Sequence, residues 1–199
     1  MSKKSSTFAV AMEKEAKTSY LTIDAKAEGL YKDKGSRFLA FAEPVCSDEA
    51  IRERLAYYRK EYHDARHVCF AYKLGEISRS SDDGEPSGTA GKPIMGRIEA
   101  AGLDRILIVV VRYFGGILLG TGGLVVAYRE ASADALAHAR IIEKEITVNR
   151  TLRFSAERLH EVMALVKETD ARILTQTWDG ADCEMTLELP LSNQTKFNI

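Results

Sequence analysis

The stretch ILIVVVRYFGGILLGTGGLVVAYREASADALAHA, Ile106 to Ala139, decides the fold. Its first six residues form an unbroken aliphatic run, rich in β-branched side chains, as expected of a strand covered on both faces by helices. After Arg112 to Gly123, the residues Leu124, Tyr128, Ala131 and Ala135 recur at helical spacing, and the many alanines let that helix lie close to a sheet. A buried strand, a glycine-rich turn and an amphipathic helix in succession predict an α+β domain around them.

Upstream, Tyr20–Ile23 and Arg37–Val45 are short β-prone stretches, and the charged segment between them, KAEGLYKDKGSR, is expected to turn the chain into a hairpin. Pro44 stops the second strand, and Ser47-Asp48 caps a helix whose apolar positions are Ile51, Leu55, Tyr58 and Tyr62. Val68, Phe70 and Tyr72 alternate with Cys69, Ala71 and Lys73 in a further strand. Between Gly75 and Gly102 only Ile94–Ala101 reads as helix, so a long ordered loop is expected to lead into it.

Downstream the pattern restarts. Ile146, Val148, Leu152 and Phe154 alternate, Ser155 is placed to cap a helix with an apolar face of Leu159, Val162, Met163 and Val166, and two more strands flank Asp179-Gly180, a type I′ hairpin signal. The second part is β-α-β-β, with a linker near residues 140–145. The expected division is a flexible tail over residues 1–18, one domain over 19–141 and a smaller one over 142–199.

The 199 residues are 45% hydrophobic and 29% charged, an ordinary globular balance. With 28 Lys and Arg against 29 Asp and Glu, the net charge is −1, which supplies no whole-protein field for nucleic acid. Three widely spaced cysteines fit neither a disulfide framework nor paired zinc ligands, so a reducing, cytoplasmic location is expected. No apolar run approaches the length of a membrane span, and the N-terminal stretch lacks a signal-peptide core.

Two segments could carry chemistry. In Gly115-Gly116-Ile-Leu-Leu-Gly120-Thr121-Gly122-Gly123, Thr121 is a natural N-cap, and free N–H groups at the helix start could bind phosphate or carboxylate. Neither the Walker A nor the GxGxxG pattern is matched, and a tight turn with close helix–sheet packing needs the glycines equally. The second segment, SSDDGEPSGTAGKP, places the carboxylates of Asp82, Asp83 and Glu85 within four residues, enough for Mg²⁺ or acid–base work, although spacing alone favours an exposed turn. Arg112 could pair with phosphate or with these acids. His63 and His67 mimic a zinc helix, but a strand follows at once, so no metal and no cofactor is expected. Cys69 reads as an inert core thiol.

DARHVCFAY (Asp64–Tyr72), SDDGEPSGTAGKPI (Ser81–Ile94) and VVVRYFGGILLGTGGLVVAY (Val109–Tyr128) closely resemble the signature of the YigZ/Impact family. The resemblance covers about residues 20–141, and the β-α-β-β remainder resembles the C-terminal domain of bacterial members, so nearly the whole chain is accounted for. It implies a first domain like the second-domain fold of a small-subunit ribosomal protein and elongation factor G, followed by a ferredoxin-like domain. Both folds occur in the translation machinery. Eukaryotic relatives regulate translation by competing for the activator of a stress-responsive kinase through an additional N-terminal domain, so that partner is not carried over. Val68 stands where the family usually has a second histidine. The sequence stops at SNQTKFNI, where a full ferredoxin-like domain would continue, so either an open sheet edge or a trimmed C-terminus is expected.

The leading expectation is a cytoplasmic, translation-associated binding protein that touches RNA, a ribosomal component or another anionic ligand through Lys92, Arg112 and the glycine segment (Gly115, Gly116, Gly120, Thr121, Gly122, Gly123). The alternatives are an enzyme of unassigned reaction using Asp82, Asp83 and Glu85 beside that segment, and a protein–protein adaptor, for which an exposed apolar patch is expected. No DNA-specific motif is present, and no oligomeric state is assigned.

Overall fold

The computed structural model of the protein describes residues 17–197; the tail expected over residues 1–18 lies almost wholly outside them. The chain is α+β and divides into two compact units, Tyr20–Lys144 in one and residues 17–19 with those from Glu145 onward in the other. In the first unit a five-stranded antiparallel sheet has the order β2 (Ala27–Asp33), β3 (Ser36–Pro44), β6 (Ile106–Tyr113), β4 (His67–Leu74), β5 (Ile77–Ser81). Two further strands, β1 (Ser19–Ile23) and β7 (Ile141–Glu145), pair as a separate two-stranded sheet.

Central strand β6 explains the layering. Ile106, Ile108 and Val110 share a core with α2 (Gly91–Ala100) and α3 (Gly120–Ala137), whereas Leu107, Val109 and Val111 face α1 (Asp48–Glu61) and pack with Ile51 and Tyr58. All six are fully buried, each side chain contributing roughly 1.5–3 kcal/mol relative to exposure. The period-two alternation thus sends successive residues to opposite cores. Helix α1 starts where its cap predicts: Ser47 Oγ accepts from the Ala50 N–H at 3.1 Å, with Asp48 and Glu49 in the first turn and Arg59 and Lys60 in the last. The alanine face of α3 lies so close to β2 that a Cβ on Gly29 would come 2.2 Å from Ala135 N.

Several sequence expectations are corrected. The charged segment expected to turn the chain is strand β2 itself, and the hairpin joins β2 to β3 through Lys34 and Gly35, both at positive φ (45° and 78°), as a two-residue I′ turn requires. β1 pairs with β7 instead, so the stretch expected as a linker is a strand. The loop expected from Gly75 begins with a fifth strand, β5, paired to β4. Both β2 and β5 are edge strands whose charged and polar residues face solvent, a composition that suits an edge and conceals a strand from a hydrophobicity pattern.

In the second unit β8 (Thr147–Ser155), α4 (Leu159–Glu168), β9 (Arg172–Asp179) and β10 (Asp182–Pro190) make the expected β-α-β-β arrangement, in the antiparallel order β8-β10-β9. Cys183, Met185, Leu187 and Leu189 of β10 all point into the core with Leu152, Phe154, Val162 and Phe197. Met163 is exposed, not part of the helix's buried face. Ser155 makes no side-chain cap bond, because the chain enters α4 through a 3₁₀ turn. The β9–β10 turn holds Gly180 and Ala181, one residue later than expected, and only the glycine has positive φ.

Candidate functional site

Arg112 continues the even-numbered series of β6, so its side chain enters the α2–α3 side of the sheet. It is 5% exposed. A guanidinium this deep needs a partner, and the loop between β5 and α2 supplies Glu85, itself buried, whose Oε1 accepts from Arg112 Nη1 at 2.6 Å and from the Tyr128 hydroxyl at 2.8 Å. Cys69 Sγ extends the chain to Tyr128 Oη at 3.3 Å. Burial, with Cys69 and Glu85 beside it, raises the Tyr128 phenol well above its ordinary pKa, and burial likewise raises the Cys69 thiol. Both stay protonated at neutral pH, so Cys69 is an inert thiol. His67 Nδ1 lies 2.6 Å from the Asp83 carbonyl oxygen, and its Nε2 is 3.8 Å from Glu85 Oε1. Arg112 Nε is buried and has no hydrogen-bond partner.

The three acids of the loop have separate tasks. Asp82 accepts from the N–H groups of Gly88, Ala90 and Gly91 at 2.8–2.9 Å, closing the loop onto the start of α2. Burial works against its charge, but these three donors win and hold its pKa below the usual carboxylate value. Asp83, at φ 44°, takes the Val68 N–H at 2.7 Å and pins the loop to β4. Glu85 alone turns inward. Among the described residues, no group of three or more His, Cys, Asp or Glu is placed to hold a metal ion.

The glycine segment also divides. A Cβ on Gly115 would lie 1.9 Å from the Gly35 carbonyl carbon, so this glycine lets the loop after β6 press against the β2–β3 turn. Gly116 and Gly120 have φ of 88° and 71° with open space about them. Helix α3 begins at Gly120, with Leu119 at its cap position and no side-chain cap bond, so Thr121 belongs to the first turn and is not the N-cap. The uncommitted N–H groups start two residues earlier than the sequence suggested.

A cavity of about 440 Å³ joins these parts, lined by Arg66, His67, Glu85, Pro86, Arg112, Phe114, Leu118, Leu119, Gly120, Thr121 and Leu124. Of the residues singled out from the sequence, Arg112, Glu85, Gly120 and Thr121 meet there. Asp82, Asp83, Gly115, Gly116, Gly122 and Gly123 do not line it, nor does Lys92, exposed in the first turn of α2. Sequence reasoning missed Arg66, His67 as a wall residue, and the apolar rim: Phe114 and Leu118 are 47% and 81% exposed, with neighbouring Ile117 at 56%. Helical spacing places Tyr128 in the core, yet a buried phenol needs a hydrogen-bond partner, a signal that its helix face also carries a polar site.

The Impact N-terminal domain family matches residues 34–136. An IMPACT family member of Haemophilus influenzae is 40% identical over 171 residues, which are 81% of this chain and 80% of that protein. The IMPACT family member in pol 5'region of Thermus thermophilus is 52% identical over 104 residues, and that match spans about half of each chain, 52% of this one and 56% of the relative. A solved structure of a hypothetical protein superposes with a TM-score of 0.76 at 34% identity, covering 91% of this chain and 90% of the other. Among the described residues, no helix is long and apolar enough to cross a membrane.

Proposed function

The chain belongs to the Impact family, and from that premise we propose that it is a translation-associated regulator that binds an anionic group, on RNA, a ribosomal component or another partner, in the cavity between β6 and α3. The family resemblance supplies the link to translation. The observation that supports the site is Arg112: a buried guanidinium in the cavity wall, held by Glu85 through one nitrogen while Nε has no partner. Beside it the first turn of α3 adds N–H groups and the positive end of a helix dipole. Such a role belongs in the cytoplasm, and the free thiols Cys46, Cys69 and Cys183 accord with a reducing compartment.

Catalysis by the acidic loop has less support, because Asp82 and Asp83 are committed to backbone N–H groups and only Glu85 reaches the cavity. The test is co-sedimentation of the purified protein with ribosomes at low and raised salt, alongside titration with a short single-stranded RNA. Association that weakens with salt and is reduced by Arg66→Ala, but not by Lys92→Ala, is the expected outcome. No association with ribosomes at low salt overturns the role, and Lys92→Ala acting alone moves the site away from the cavity.

A further inference from the structure

We infer that the occupant of this cavity is the C-terminal end of a partner polypeptide whose last residue is apolar, its terminal carboxylate received by Arg112 and the start of α3. This rests on the cavity being the binding site proposed above.

The wall is dominated by Phe114, Leu118, Leu119 and Leu124, which calls for an apolar group, while Arg66 and Arg112 against Glu85 leave a surplus of positive charge. The Arg112 side chain is 7% exposed and gives only Nη1 to Glu85, which leaves hydrogen-bonding capacity on a guanidinium that lines the cavity. A guanidinium fork matches a carboxylate in plane and spacing. The free N–H groups of the first turn of α3 stand at the same cavity, next to a glycine with open space at its Cβ position, so a ligand's oxygens can approach the backbone closely. Capture of a terminal carboxylate by backbone N–H groups is an established recognition mode.

A nucleic acid fits these surroundings less well. Single strands are held by several aromatic platforms along a basic groove, whereas the cavity's aromatic rings are Phe114 and the His67 imidazole, already engaged with the Asp83 carbonyl, and the rim, with Leu118 and neighbouring Ile117, is aliphatic. The chain's net charge of −1 adds no general attraction. A chain end is favoured over an internal Asp or Glu by size: in about 440 Å³, a terminal residue brings its carboxylate and side chain on one carbon, and the chain needs only one exit.

The test is fluorescence anisotropy with a labelled short peptide ending in Leu, as the free acid and as the C-terminal amide, with a labelled oligouridine as comparator. The free acid is expected to bind saturably and the amide at least about tenfold more weakly, since a charge-assisted bond is lost. Arg66→Ala and Leu118→Ser, both at exposed positions, are expected to weaken the free acid several-fold, and Lys60→Ala, on the far side of the sheet, to leave it unchanged. Equal binding of acid and amide, or no binding of the acid, overturns the inference. Oligouridine binding without peptide binding overturns it while leaving the translation role standing. Peptide binding without ribosome association does the reverse.

Discussion

The two faces of the five-stranded sheet each carry a Glu–Arg–Tyr group, and the two differ in how completely they close. On the α1 face, Glu43 takes Arg54 with both oxygens, Nε at 2.5 Å and Nη2 at 2.6 Å, and also the Tyr58 hydroxyl. That arginine is 35% exposed and stacks over Tyr57 and Tyr58. On the α2–α3 face, Glu85 takes Arg112 through one nitrogen, and the more deeply buried guanidinium, which lines a cavity, keeps an Nε without an acceptor. Since buried ion pairs contribute little net stability, neither is explained by strength alone. The closed pair fastens α1 to the sheet; the open one has capacity left for something else.

The sharpest way to break this comparison is to remove each acid in turn. Glu85→Ala leaves the buried Arg112 without its counter-charge and is expected to cost about 3–5 kcal/mol, whereas after Glu43→Ala the partly exposed Arg54 can turn outward, for a loss of about 2 kcal/mol. Urea unfolding followed by circular dichroism measures both, and the single tryptophan, Trp178 in the second unit, monitors whether that unit is unaffected. Equal losses would mean that both pairs are structural.

A smaller effect concerns the tyrosines, in which the two faces are expected to agree. Burial first, then the neighbouring glutamate for Tyr58 and Cys69 with Glu85 for Tyr128, raises both phenols above the ordinary value of 10.0. A raised folded pKa contributes stability that is intact below pH 10 and lost as pH climbs past it. In an ultraviolet phenolate titration, Tyr58 and Tyr128 should ionise only as the protein unfolds, and Tyr128→Phe should remove one of the two late phenols. Ionisation of all eight tyrosines in the folded state would contradict the burial of both groups.

The smallest effect tests whether Asp82 stands apart from Glu85, its neighbour in the loop. Its lowered pKa contributes stability that is present above about pH 3.8 and lost as pH falls below it. Asp82→Asn should therefore cost about 1 kcal/mol at neutral pH, as loss of a capping carboxylate does, and flatten the acid limb of the stability curve, with ligand binding unchanged. Lost binding at unchanged stability would put Asp82 in the site.

The elements legible in the sequence were those whose burial imposes a period: β6, β4, α1 with its serine cap, the alanine face of α3, and alternating β10. Edge strands β2 and β5 escaped because solvent on their outer sides permits Glu28, Lys32 and Arg79, residues that otherwise signal a loop. In the site, Arg112 and Glu85 were legible as a possible pair. The cavity was not, since Arg66, Phe114, Leu118 and Leu124 come from a strand approach, a loop and a helix that only the fold brings together.

The contact of Gly115 with Gly35 has a consequence for the protein's descent. Eighty positions apart in sequence, the two backbones touch where either Cβ would meet main-chain atoms, at 1.9 Å from Gly115 and 2.8 Å from Gly35. No partner side chain can shrink to make room, so neither site can drift by compensation at the other. Lineages that keep this loop geometry must inherit both glycines unchanged, and a lineage that loses one has moved the rim of the cavity with it.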